Sequence, residues 1–116
     1  MIRVMIIDEQ PLLTKQLFED FSDDKYQISQ MRQADGISER IRAFMPDIIL
    51  LDLWLSGLER WDILHRIKLD SPYLPVIIVS TYETFAHDPR MGEADGFVIK
   101  DIYTGKLENK IMELLA

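Results

Sequence analysis

Cysteine is absent from the 116 residues, which excludes disulfides, zinc–thiolate sites and a thiol nucleophile. Histidine is scarce: His65 and His87 are the only two, and neither has a second histidine at a metal-ligand spacing. No apolar run nears the length of about twenty residues needed to cross a bilayer. The N-terminus carries no signal-peptide pattern, so the chain reads as cytoplasmic, with no membrane partner. A basic stripe is missing too. The formal net charge is −7, whereas a nucleic-acid binder needs cations to displace the counterions around phosphates. Direct nucleic-acid binding by this segment is therefore not expected. Repeats, low-complexity tracts and Pro/Gly/Ser linkers are lacking, and the length suits one domain over residues 1–116.

What the chain does contain is an alternation of short apolar runs and helical periods. Residues 2–7 (IRVMII), 47–51 (DIILL) and 75–79 (PVIIV) are rich in Ile and Val and continuously apolar at their centres. Such runs suit parallel strands covered on both faces. GFVI at 96–99 is a shorter candidate, and YQISQM at 26–31 alternates as an edge strand does. Between them, Leu13, Leu17 and Phe21 recur at helical spacing after Pro11. Ile37, Ile41 and Phe44 repeat the pattern until Pro46 stops it, and Trp61, Leu64 and Lys68 share another face. Leu107, Ile111, Leu114 and Leu115 form the clearest stripe, with Thr104 placed as its N-cap. The segment 83–91 contains His87-Asp88-Pro89, so the fourth helix is expected to be short or irregular.

Five β-α repeats with right-handed crossovers predict an α/β, doubly wound, five-stranded parallel sheet with helices on both faces. Functional sites in such sheets lie at the carboxyl ends of the strands. Those ends carry Asp8-Glu9, Asp52, Ser80-Thr81 and Lys100. Converging carboxylates repel one another and lose solvation, so they need a compensating cation. A hard divalent ion such as Mg²⁺ prefers oxygen ligands. A carboxylate nucleophile beside it, with an ammonium and a hydroxyl to hold phosphoryl oxygens, suits phosphoryl transfer.

Singly, each residue has a plainer explanation. Asp8 or Glu9 would cap a helix, Asp52 would start a turn, Ser80 would supply a turn hydroxyl, and Lys100 would lay its stem over apolar surface. Four successive junctions with complementary chemistry are harder to explain that way.

On these residues the chain resembles the receiver domain of two-component response regulators over essentially its whole length. The resemblance rests on Asp8-Glu9 after IRVMII, PDIILLDLWL around Asp52, PVIIVST ending in Ser80-Thr81, and ADGFVIKD with Phe97 and Lys100. DEQPLL and Lys100-Asp101 are most similar to the subfamily that carries a C-terminal helix-turn-helix output domain. The resemblance implies a flavodoxin-like sheet of order 2-1-3-4-5 and a module that is not an enzyme, catalysing only its own phosphorylation and dephosphorylation. By the same resemblance, Asp52 accepts a phosphoryl group from a histidine kinase or phosphotransfer protein. Mg²⁺ is held by Glu9, Asp52 and the Trp54 backbone carbonyl, with Asp8 assisting through water. Lys100 and Ser80 bind phosphoryl oxygens, and Ser80 with Phe97 forms the switch that reshapes an output surface for transcription regulation. Trp54 and Tyr82 occupy positions that tune the lifetime of the phosphoryl group. A DNA-binding output domain outside this chain and a homodimer are further implications.

The departures from the family pattern are local. Glu9 replaces the commoner Asp, Ser56 stands where Pro is usual, Arg60 where Gly is usual, and Thr81 where a small residue is usual. Arg60 matters most if that position needs a positive φ. The stretch from Ser80 to Lys100 is roughly half a helical turn short. These changes keep open the alternative of a pseudo-receiver, an interaction module that works without phosphorylation. An aspartate-nucleophile phosphatase would need a substrate-covering cap, for which the chain has no spare length. A flavin or dinucleotide site would need a Gly-, Ser- or Thr-rich first junction, whereas this one reads DEQP.

Overall fold

The computed structural model describes residues 1–10, 24–100 and 105–116. Five parallel strands, β1 (Ile2–Ile7), β2 (Tyr26–Met31), β3 (Ile48–Leu51), β6 (Val76–Ser80) and β7 (Gly96–Ile99), form one sheet. Its order is β2-β1-β3-β6-β7, which counted over these five strands is the expected 2-1-3-4-5. Two further strands, β4 (Trp54–Leu55) and β5 (Leu58–Glu59), make a small antiparallel hairpin directly after β3. Three described helices accompany the sheet: α1 (Ile37–Phe44), α2 (Trp61–Asp70) and α3 (Gly105–Leu115). The helix expected around Leu13, Leu17 and Phe21, and the Thr104 cap, lie outside the described residues. Among the described helices, none is long and apolar enough to cross a membrane.

The continuous apolar runs are explained by two cores. Successive side chains on a strand point to opposite faces. Met5, Ile7, Ile49, Leu51, Val76 and Ile78 accordingly pack on one face with Ile37 of α1 and Ile63, Leu64 and Ile67 of α2. Val4, Ile6, Ile48, Leu50, Ile77 and Val79 pack on the other with Leu107 and Ile111 of α3. The central strands are therefore apolar over Val4–Ile7, Ile48–Leu51 and Val76–Val79, and a fully buried Ile or Leu contributes about 2 kcal/mol of transfer free energy. At the β2 edge the burial is mixed, as its alternating sequence requires.

Chain breakers act where the sequence places them. Met45 ends α1 in the left-handed conformation, φ 54°, its N–H bonded to the Ile41 carbonyl, and Pro46 follows. In place of a regular fourth helix, two 3₁₀ turns span Glu83–His87 and Pro89–Glu93. Asp88, preceding Pro89, is extended at φ −71° and ψ 135°, and its side chain caps the second turn by accepting the Arg90 N–H.

Candidate phosphoacceptor site

Three of the strand-end residues meet because they share a strand parity. The sheet ladder continues one residue past each strand: Asp8 N–H bonds to the Met31 carbonyl, Asp52 N–H to Ile7, and Lys100 N–H to Ser80, each at 2.9 Å. Asp8, Asp52 and Lys100 each follow a residue of the first core's face, so alternation turns all three toward the opposite side. Lys100 Nζ lies 2.6 Å from Asp8 Oδ2 and 2.5 Å from Asp52 Oδ2. The Lys100 side chain is 8% exposed, that of Asp8 2% and that of Asp52 12%. Ions this dry stay in place only when each is paired.

Asp52 is also fixed through its other oxygen, Oδ1, which accepts the Trp54 N–H at 2.9 Å. Burial raises its pKa above the ordinary carboxylate value, with the neighbouring Asp8 adding to the rise. The hydrogen bonds from Lys100 and Trp54 and the Lys100 charge oppose it. Asp8 in turn accepts the Gln10 N–H at 2.9 Å.

Ser80 has the opposite parity and is fully buried at the end of β6, beside β3 in the sheet. Its hydroxyl oxygen accepts the Tyr82 N–H at 3.0 Å, which leaves its own O–H proton to donate elsewhere. Phe97 is half-buried on β7 and packs against the first core.

Glu9 is placed differently from the other two acids. It is exposed, and its carboxylate accepts the backbone N–H of Ser56 in the hairpin turn. Among the described residues, no three carboxylate or imidazole side chains gather into a cluster sized for a metal ion. The donors nevertheless fit a hard cation in kind. All are oxygens, and Asp8 and Asp52 already share one cation, Lys100. Glu9, at the end of the same strand as Asp8, is a third carboxylate at this edge of the sheet. Trp54 adds a fourth donor. Leu55 and Leu58 close the hairpin and Trp54 opposes Glu59 in the next pair, so ladder alternation directs both the Trp54 N–H and its carbonyl away from β5.

Several contacts were not legible in the sequence. Trp54 and Tyr82 each stand two residues past a strand-end residue, and because β3 and β6 are neighbours their rings meet at 5.6 Å. Tyr82 continues to Phe85 at 5.5 Å, and Phe85 to Trp61 at 5.7 Å. Arg90 covers Trp61 at 4.6 Å while pairing with Asp88 at 2.7 Å and Glu59 at 3.7 Å. An aromatic chain thus runs from the Asp52 loop to the irregular 3₁₀ segment. The equal offsets of Trp54 and Tyr82 were the available signal for its first link. Arg60 needs no positive φ: it sits at −105° and bonds Asp62 at 2.9 Å. The left-handed residues of this loop are Ser56 and Gly57, at φ 53° and 75°.

Comparison with known proteins agrees with this architecture. The family model described as the response regulator receiver domain matches residues 4–112. The nitrogen assimilation regulatory protein NtrX of Azorhizobium caulinodans is 33% identical over 79 residues, covering 66% of this chain and 17% of that protein. Sporulation initiation phosphotransferase F of Bacillus subtilis is 29% identical over 80 residues, 69% of this chain and 64% of that one. The transcriptional regulatory protein CiaR of Streptococcus pneumoniae is 26% identical over 118 residues, 99% of this chain and 52% of its own length. The chain therefore spans less than two thirds of each of these relatives. Among solved structures, the response regulator TrrA of Thermotoga maritima in complex with Mg²⁺-BeF superposes with a TM-score of 0.87 at 21% identity, covering 99% of this chain and all of that one. The complex of TrrA with the histidine kinase ThkA gives a TM-score of 0.86, also at 21% identity, with both chains covered in full. With its five-stranded 2-1-3-4-5 sheet and the family match over nearly its full length, the chain belongs to the response regulator receiver domain family.

Proposed function

We propose that Asp52 accepts a phosphoryl group from the phosphohistidine of a histidine kinase or phosphotransfer protein, in a reaction that this chain itself assists. The observation that carries the reading is the three-way contact of Asp8, Lys100 and Asp52 at the carboxyl ends of β1, β7 and β3. An Asp52 carboxylate oxygen attacks phosphorus, the phosphorus–nitrogen bond of the donor breaks, and the imidazole leaves with the electron pair. Trp54 N–H and Lys100 hold the nucleophile in one orientation before attack, which lowers the entropic part of the barrier. The buried ammonium of Lys100 then faces the new phosphoryl oxygens, and the Ser80 O–H donates to another.

Mg²⁺ would be held by Asp52, Glu9 and the Trp54 carbonyl, with Asp8 assisting, and it would supply neutralisation of charge on the phosphoryl oxygens. The structure of TrrA, which shares this fold, is of a complex with Mg²⁺-BeF, which supports a metal site of this kind.

The acyl phosphate would draw Ser80 and its loop toward Asp52. Phe97 and the 3₁₀ segment flank that loop, so the response is a shift between two arrangements of the surface formed by Glu83–Glu93, β7 and α3. A DNA-binding output domain beyond this chain, a homodimer through that surface, and a cytoplasmic location complete the reading.

Intact-mass analysis after incubation with Mg²⁺ and acetyl phosphate tests it. A gain of one phosphoryl group that disappears in Asp52→Asn is the expected outcome. No gain at millimolar Mg²⁺ favours the pseudo-receiver, and sustained turnover of phosphomonoesters favours the phosphatase.

A further inference from the structure

Two of the local departures in the sequence, Glu9 and Ser56, meet in one hydrogen bond. The hairpin that follows Asp52 is closed by Leu55 and Leu58, with Ser56 and Gly57 between them, both at positive φ. That is the backbone of a type I′ turn, in which both central residues are left-handed. The turn's own closing bond joins the two flanking residues, so the N–H of the first central residue projects outward without an intrahairpin partner. Glu9 supplies that partner from the end of β1. Its extra methylene relative to Asp gives the reach, and a non-proline residue at position 56 gives the donor.

We propose that Glu9 is shared between the Ser56 amide and Mg²⁺, so that metal binding releases the hairpin turn from the first junction. This rests on the Mg²⁺ site described above. Where it now stands Glu9 forms no metal-sized cluster with Asp8 and Asp52, so its carboxylate has to turn away from the Ser56 amide to reach the metal. Mg²⁺ affinity is then linked to the anchorage of the loop that carries Asp52 and Trp54. Charging the site with metal and loosening the phosphoacceptor hairpin become one event, a coupling that Asp at position 9, one methylene too short for the amide, would abolish.

The test is a titration of ¹⁵N-labelled protein with MgCl₂ alone, following backbone amide shifts and hydrogen exchange at pH 7. The Ser56 amide is expected to be downfield and protected without metal, and to move upfield and exchange about tenfold faster at saturation, as loss of one hydrogen bond to a charged acceptor requires. In Glu9→Asp the Ser56 amide should exchange fast with or without Mg²⁺. Glu9→Asp, which keeps a carboxylate for the metal but is one methylene too short for the amide, should also bind Mg²⁺ about threefold more tightly by Trp fluorescence, since no hydrogen bond has to be given up. If the Trp54 and Lys100 amides shift with Mg²⁺ while Ser56 stays protected, the sharing is wrong and the Mg²⁺ site stands. If no amide responds at saturating Mg²⁺, the site and the sharing fail together.

Discussion

Lys100 Nζ bridges Asp8 and Asp52, at 2.6 Å from one carboxylate and 2.5 Å from the other, with all three side chains almost dry. In Lys100→Met the two acids would face each other without a counter-charge. Breaking a buried pair from one side costs about 3 kcal/mol, so thermal unfolding without metal should occur well below the wild type. Millimolar Mg²⁺ should recover part of the loss by replacing the missing cation. Equal Tm values for variant and wild type without metal would show that Lys100 does not hold the acids together.

Trp54 is 37% exposed and Tyr82 47% exposed, and their rings meet beside the Asp52 loop. Rings so placed would limit the approach of water to a phosphoryl group on Asp52 if they lie over it. In Trp54→Asn, loss of label from phosphorylated protein should be about tenfold faster, equivalent to about 1.4 kcal/mol of barrier. An unchanged lifetime assigns Trp54 to packing or to an interface instead.

Ser56 holds φ 53° in a turn whose preferred pair is Asn-Gly, and Gly57 already follows it. Ser56→Asn keeps the backbone donor to Glu9 and suits the left-handed conformation better. It should raise the urea midpoint by the equivalent of about 0.5 kcal/mol, a fraction of the left-handed penalty on an ordinary residue. A lower midpoint would mean that the serine side chain has a role of its own.

The sheet and most of its helices were legible because burial on both faces leaves a continuous apolar run, and the breakers Pro46 and Pro89 stop or distort helices by covalent geometry. The four chemical residues were legible from their places at strand ends. The hairpin at 54–59 was not, since two-residue strands carry too little pattern and Ser is not a residue that announces a positive φ. For the same reason Arg60, whose φ is negative, drew the expectation of a positive φ that belongs to Ser56. Glu9 was expected to face the metal with Asp52. Its turn toward Ser56 depends on a contact 47 residues away, which local sequence does not encode.

Tyr26, buried at the β2 edge, donates its hydroxyl to Glu108 of α3 at 3.2 Å. Burial first, then the Glu108 charge and hydrogen bond, push its pKa up to about 12 from 10.0. Below the unfolded value both states keep the proton and the contribution to stability is complete. As pH rises from 10.0 toward about 12 the unfolded chain ionises first, so the fold loses stability relative to it. The Tm difference between wild type and Tyr26→Phe should therefore fall across that window and be constant from pH 7 to 9. A constant difference throughout would mean that the hydroxyl titrates alike in both states.

The central claim is that the acceptor is Asp52, and reductive trapping tests it most directly. Protein treated with Mg²⁺ and acetyl phosphate is reduced with borohydride, which converts an aspartyl phosphate to homoserine, and the modified residue is located by peptide mass mapping. Conversion confined to position 52 is the expected result. Conversion at another carboxylate, or none in protein that remains folded, would contradict it.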